Sequence, residues 1–229
     1  MKLATTLLAA TAVTLGLGTA AYAADLIIEE PAYVEPIATG GSWDGPFIGV
    51  FAGGGWGVAD HTSLDPGNDL DLSGWFIGVD AGFNFTVGSG LVIGVVGDVA
   101  WADISGADEF GSGDISHTID WLGSLRGRVG FDGGAFMPYL TGGLAVAHAV
   151  RETTDSPFGD GEGSGDETHI GWTVGAGVEF AVTDDVSVDV LYRYSDYGEQ
   201  VYAYDEPAFT DPTIAMTAHS LQVGLHWNF

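Results

Sequence analysis

An all-β chain folded as an eight-stranded antiparallel up-and-down β-barrel that crosses a membrane is the fold class this sequence predicts, on three observations. Apolar and polar residues alternate with period two through eight stretches of about 15 residues each, where a soluble strand usually has about 5–6. The stretches are joined alternately by short turns rich in Gly and Asp and by long acidic segments. The large aromatics collect near the two ends of the apolar face.

The alternation is clearest between His117 and Val150. Ile119, Trp121, Leu125, Val129 and Phe131 share one parity, while Asp120, Ser124, Arg126 and Arg128 share the other. Successive side chains of a strand point to opposite faces, so one face is apolar and the other charged. Asp132-Gly133-Gly134 supplies a tight turn, and a second long strand follows it. A tilted membrane-crossing strand needs about 9–11 residues in the apolar band, so each arm is long enough to cross.

Taken in order, Lys2, the apolar run Leu3–Gly18 and Ala21-Tyr22-Ala23 form a secretory signal over residues 1–23, with cleavage expected after Ala23. Beyond it no apolar run approaches the roughly 18 residues of a spanning helix, so any crossing uses strands. Residues 24–44 carry Glu29, Glu30, Pro31, Glu35 and Pro36 without a sustained period and read as a periplasmic linker. The barrel is expected over 45–229, with strands at 46–59, 73–87, 91–104, 117–131, 135–151, 168–182, 185–199 and 216–229. An even number of strands leaves both ends on one side. Connections 88–90, 132–134 and 183–185 are short, whereas 60–72, 105–116, 152–167 and 200–215 are long. Short periplasmic turns and long outer loops are the layout of an outer-membrane barrel.

Trp56, Trp75, Trp101, Trp121 and Trp172 fall on the apolar parity near the long-loop end. Phe83, Phe85, Phe131, Phe180, Trp227 and Phe229 lie near the other end. These positions predict two aromatic belts at the membrane–water boundaries. The inward parity collects Gly49, Gly53, Gly78, Gly82 and Gly94 among others, small residues that relieve crowding in a narrow barrel.

The 229 residues include 37 glycines, no cysteine, and 5 basic against 32 acidic residues, a net charge of −27. Absence of cysteine excludes disulfides and thiolate metal sites. The acidity argues against nucleic acid, whose phosphates it repels.

Trp121-Leu-Gly-Ser-Leu-Arg-Gly-Arg-Val-Gly-Phe131 and Pro138-Tyr-Leu-Thr-Gly-Gly-Leu144 resemble the central hairpin of small alphaproteobacterial outer-membrane β-barrels. These are surface-antigen, porin-like proteins related in architecture to the eight-stranded OmpA membrane domain. Gly171-Trp-Thr-Val-Gly-Ala-Gly-Val-Glu179 and His219-Ser-Leu-Gln-Val-Gly-Leu-His-Trp-Asn-Phe229 are similar to the last strands of that family. The resemblance covers roughly 45–229 and implies the barrel fold and the outer membrane. It further implies that the closing strand, ending on an aromatic, is read by the outer-membrane assembly machinery.

The inward parity also carries Asp80, Asp98, Asp120, Glu179 and Asp189 together with Arg126, Arg128 and Arg193. A buried charge is tolerable only when paired and hydrogen-bonded. The expected arrangement is a salt-bridge network filling the lumen, with Asp98 about one diagonal position from Arg126. A narrow ion path lined by opposite charges is the alternative, although eight strands enclose an interior about filled by side chains. Catalysis would need a nucleophile, a base and an orienting group at one level. His61, His117, His148, His169 and His219 lie toward the outer end, but parity turns His117, His148 and His219 outward and His169 inward, with His61 in a loop. No Ser-His-Asp spacing stands out, so no enzyme, cofactor or metal site is expected.

The four long connections hold 16 acidic residues and no basic one. Asp155 to Glu167 superficially resembles a calcium loop but lacks its oxygen-ligand spacing. Loose association with the divalent cations of a lipopolysaccharide surface suits it better, and a merely solubilising acidic surface suits it better still. The sequence therefore reads as a structural surface protein whose partners are outer-membrane lipid, lipopolysaccharide and the assembly machinery. A narrow porin for small solutes, and a receptor or adhesin with a loop-borne haem, metal or host ligand, are the alternatives.

Overall fold

Each strand of this chain finds its partner in the next one, and the last returns to the first. The computed structural model describes residues 43–61, 69–110, 113–154, 163–201 and 213–229. They form β1 (Gly45–His61), β2 (Asp69–Val87), β3 (Leu91–Phe110), β4 (Gly113–Phe131), β5 (Phe136–Thr154), β6 (Gly163–Ala181), β7 (Val186–Val201) and β8 (Thr213–Asn228). All pairings are antiparallel, in sequence order, and β8 closes on β1 in unbroken register from Phe47 opposite Asn228 to His61 opposite Ile214. The chain divides into Met1–Glu35 and Pro36–Phe229, and the described residues all lie in the second unit. Closure is what hydrocarbon demands, because an open edge there leaves unpaired amides that cost several kcal/mol each, on the order of a desolvated polar group.

The outward face is apolar all the way round: Val50, Val79, Val99, Leu125, Leu140, Leu144, Val174 and Val223 are all exposed. A soluble monomer rarely exposes a contiguous apolar patch of more than a few hundred Å². Lipid is the solvent for this face, and the barrel is transmembrane.

The strands are longer than the alternation predicts. β2 starts at Asp69, β3 runs to Phe110 and β4 starts at Gly113. The expected loop at 105–116 is thus mostly strand, with only 111–112 outside the described residues. Backbone pairing there continues past the span that the alternation marks. At the opposite end the Asp132 turn is as read: Gly134 has φ +82° and its N–H donates to Asp132 Oδ1 at 2.8 Å.

β4 carries a bulge that the sequence reading lacks. The register with β5 slips between Ile119 and Trp121. Asp120 and Trp121 therefore together oppose His148, and the parity of β4 reverses beyond them. Leu122, Arg126 and Arg128 are buried on one side of the bulge, Ile119 and His117 on the other. This corrects three expectations: Ile119 and His117 face inward, and Asp120 faces outward. β7 has a second bulge between Asp196 and Glu199, where Gly198 takes φ +69°.

Side chains fill the interior in layers. Toward the long connections, Phe51, Leu72, Phe76, Ile104, Ile119, Leu122, Tyr197 and Met216 form an apolar cluster. Toward the short turns, Val92, Met137, Tyr139 and Leu191 form a smaller one, joined by Trp43. Trp43 was expected in the linker at 24–44, yet it is 4% exposed and closes the turn end of the lumen. Asp44 beside it accepts a hydrogen bond from the Thr86 amide.

Candidate functional site in the lumen

Packed with the turn-end cluster is a charged layer, whose ionisable side chains come from β2, β3, β4, β6, β7 and β8. Register sets Asp80 of β2 directly opposite Asp98 of β3. Like charges so placed repel, and the two acids are separated by being given different partners.

Asp98, with its side chain 2% exposed, accepts Arg126 Nη2 at 2.8 Å and Nε at 3.2 Å on one oxygen, which also takes the Ser124 hydroxyl. Its other oxygen takes Arg193 Nη1 at 3.3 Å. Arg126 Nε also donates to Ser124 Oγ at 2.8 Å, so the diagonal pair is braced from its own strand.

Glu179 is the second centre. It accepts Arg128 Nη2 at 2.8 Å, the Ser187 hydroxyl at 2.5 Å and His226 Nδ1 at 3.1 Å. The other nitrogen of His226 meets Asp80 Oδ2 at 3.2 Å. Only an imidazolium can donate from both ring nitrogens. Arg128 also lies over the rings of Phe47 and Tyr139, 4.9 and 5.0 Å from their centroids, a placement that favours a cation. Tyr139 donates to Asp189 at 2.6 Å. Gly49 makes this layer possible, since a Cβ there would collide with the His226 ring and the Asp80 carboxylate.

Seven of the eight expected lumen residues thus lie buried inside the barrel: Asp98, Arg126 and Arg193 in one bonded group, Asp80, Arg128 and Glu179 in a second, and Asp189 held by Tyr139. Asp120 does not: its side chain is 47% exposed on the outer face and pairs with His148 Nδ1 at 2.7 Å. The β4 bulge is the cause. His226 takes its place in the network. Sequence reasoning overlooked His226, although Leu221, Val223 and Leu225 alternate outward and so turn 222, 224 and 226 inward. With His226 as imidazolium, four acids face three arginines and one histidine, and this set is formally neutral. The cavity left among Asp80, Arg126, Arg128, Gln222 and His226 is only about 10 Å³, room for about one water.

Of the expected belt residues, Trp56, Trp75, Trp101, Trp172, Trp227 and Phe229 are exposed on the outward face. Trp121 is half-buried and stacks on His148, with centroids 5.8 Å apart and planes 11° from parallel. Among the described residues no group of three or more His, Asp or Glu is placed to hold a metal ion.

A closed ring of eight antiparallel strands, apolar outside and charge-paired inside, defines a small outer-membrane barrel. The model of the outer membrane protein β-barrel domain matches residues 9–229. The chain is 33% identical over 175 residues to a 22 kDa outer membrane protein of Rhizobium leguminosarum bv. viciae, covering 76% of this chain and 74% of that one. It is 33% identical over 215 residues to the 25 kDa outer-membrane immunogenic protein of Brucella abortus biovar 1, covering 91% of each. Among solved structures it is similar to Neisserial surface protein A, at 19% identity and a TM-score of 0.45, covering 80% of this chain and 97% of that one. The chain belongs to the alphaproteobacterial family of small outer-membrane β-barrel surface antigens, and the outer membrane is its location.

Proposed function

We propose that this protein is a structural surface barrel whose lumen does not conduct. The observation that carries this reading is the side-chain-filled interior: two buried apolar clusters and the paired charges packed with them leave a cavity of only about 10 Å³ beside Asp80, Arg126, Arg128 and His226. An ion crossing it would have to break paired charges and then pass an apolar cluster. Purified protein free of contaminating porins is expected to give no steady conductance in planar bilayers. Large, reproducible open-channel steps would overturn the reading in favour of a narrow porin.

The tryptophan end, with its long acidic connections, faces outward in this reading. The family's relatives include proteins described as immunogenic, in keeping with exposed loops. Sixteen acids and no base in those connections suit the divalent cations that neutralise a lipopolysaccharide surface. Residues 1–23 act as a cleaved signal and 24–42 as a periplasmic linker; all of these lie outside the described residues. Amino-terminal sequencing of outer-membrane material is expected to begin at Ala24, and an intact Met1 would exclude cleavage.

A further inference from the structure

An open groove of about 450 Å³ lies on the outer surface where β8, β1 and β2 meet. Its floor is Val58, flanked in register by Asp71 of β2 and Thr217 of β8. One step toward the membrane stand Ser73, Trp56 and His219, again side by side. Trp56 stacks on His219, with centroids 5.9 Å apart and planes 13° from parallel. Tyr192 holds His219 from the next strand, its hydroxyl 2.6 Å from Nδ1. The result is an aromatic wall beside a carboxylate, two hydroxyls and an imidazole.

Below the groove the outward face of β1 and β8 becomes apolar without interruption. Gly54, Ala52 and Val50 lie beside Leu221, Val223 and Leu225. A molecule whose head fits the groove and whose tails lie on that track is a lipid. The groove's chemistry selects the head. Asp71 repels a bare phosphate, whereas a carboxylate, hydroxyls and a flat aromatic are what a hydroxyl-bearing sugar ring needs: acceptors and donors at its edge, and a surface for its C–H face.

We propose that this groove seats a sugar ring from the headgroup of an outer-leaflet glycolipid. The proposal rests on the reading that puts the tryptophan end at the outer leaflet. It is independent of whether the lumen conducts, so the bilayer result and the one below fail separately.

Delipidated full-length barrel in detergent, titrated with lipid A, with its deacylated disaccharide and with phosphatidylglycerol, tests it by native mass spectrometry. Lipid A is expected to bind more tightly than the other two, because only it offers both sugar and tails. Trp56→Ala is expected to weaken lipid A about five- to tenfold, the worth of one aromatic stacking contact. Trp172→Ala, an exposed belt tryptophan on β6, should leave it unchanged. Asp71→Asn, isosteric and at an exposed position, keeps the test alive should Trp56→Ala fail to fold. The exchange weakens binding if a sugar hydroxyl donates to Asp71, and strengthens it if the groove faces phosphate. Wild-type affinity in Trp56→Ala, an equal loss in Trp172→Ala, or tighter binding in Asp71→Asn would each overturn the proposal.

Discussion

Asp98→Ala is expected to lower the barrel's unfolding free energy by about 3–5 kcal/mol, the cost of breaking a buried ion pair from one side. The substitution strands two buried guanidinium groups, Arg126 at 2.8 Å and Arg193 at 3.3 Å from the carboxylate that is lost. Arg126→Ala should cost less, because Asp98 keeps Arg193 and the Ser124 hydroxyl. Combining Arg126→Ala with Asp98→Asn should fall short of the summed losses by a coupling of about 0.5–3 kcal/mol, as residues in one network do. Asp184→Asn, at an exposed turn position, sets the background, within about 0.5 kcal/mol. Urea unfolding in lipid or detergent decides the matter. Equal, small effects at Asp98 and Asp184 would mean that the lumen charges are wetted and screened.

Removing Phe229 is expected to abolish most of the folded barrel in cells while scarcely changing its stability once folded. Phe229 is 73% exposed, and its amide makes one backbone bond, to the Pro46 carbonyl at 3.0 Å. A bond of that kind is worth about 0.5–1.5 kcal/mol. The rest of β8 keeps its pairing with β7 and β1. If the terminal aromatic is an address for the assembly machinery, heat-modifiable protein in the outer membrane should largely vanish, while refolding from urea into detergent proceeds as before. Loss in both settings would make Phe229 a structural residue, and loss in neither would remove its role in assembly.

The outward face was legible because lipid tolerates few polar groups there: apolar residues, with Val, Leu and Ile prominent, recur at alternate positions of the strands. The lumen charges were legible by the same alternation. Asp120 was not, because the Asp120–Trp121 bulge carries no glycine or proline to mark it, and every residue beyond it changes face. His226 stands in plain alternation with its neighbours, but its charge comes from Asp80 and Glu179, two acids distant in sequence that only the closed barrel brings to its two nitrogens. Trp43 precedes the first strand, where no period assigns a face, and only the closed ring shows that it enters the lumen. The upper strand ends run past the expected bounds: Asp69–Leu72 does alternate, with Leu70 and Leu72 buried, but four residues beside an acidic connection are too few to separate strand from loop.

Neutrality of the charged layer divides the molecule into two electrostatic regimes. The chain's net charge of −27 belongs almost entirely to groups outside the lumen. At physiological ionic strength the Debye length is about 8 Å, so mobile ions mute the repulsion among the outer acids and between them and lipid phosphates. They are kept out of a buried layer whose partners stand about 3 Å apart, a hydrogen-bond length. Ionic strength therefore governs how this barrel meets its neighbours, and leaves the force that holds its interior shut nearly untouched.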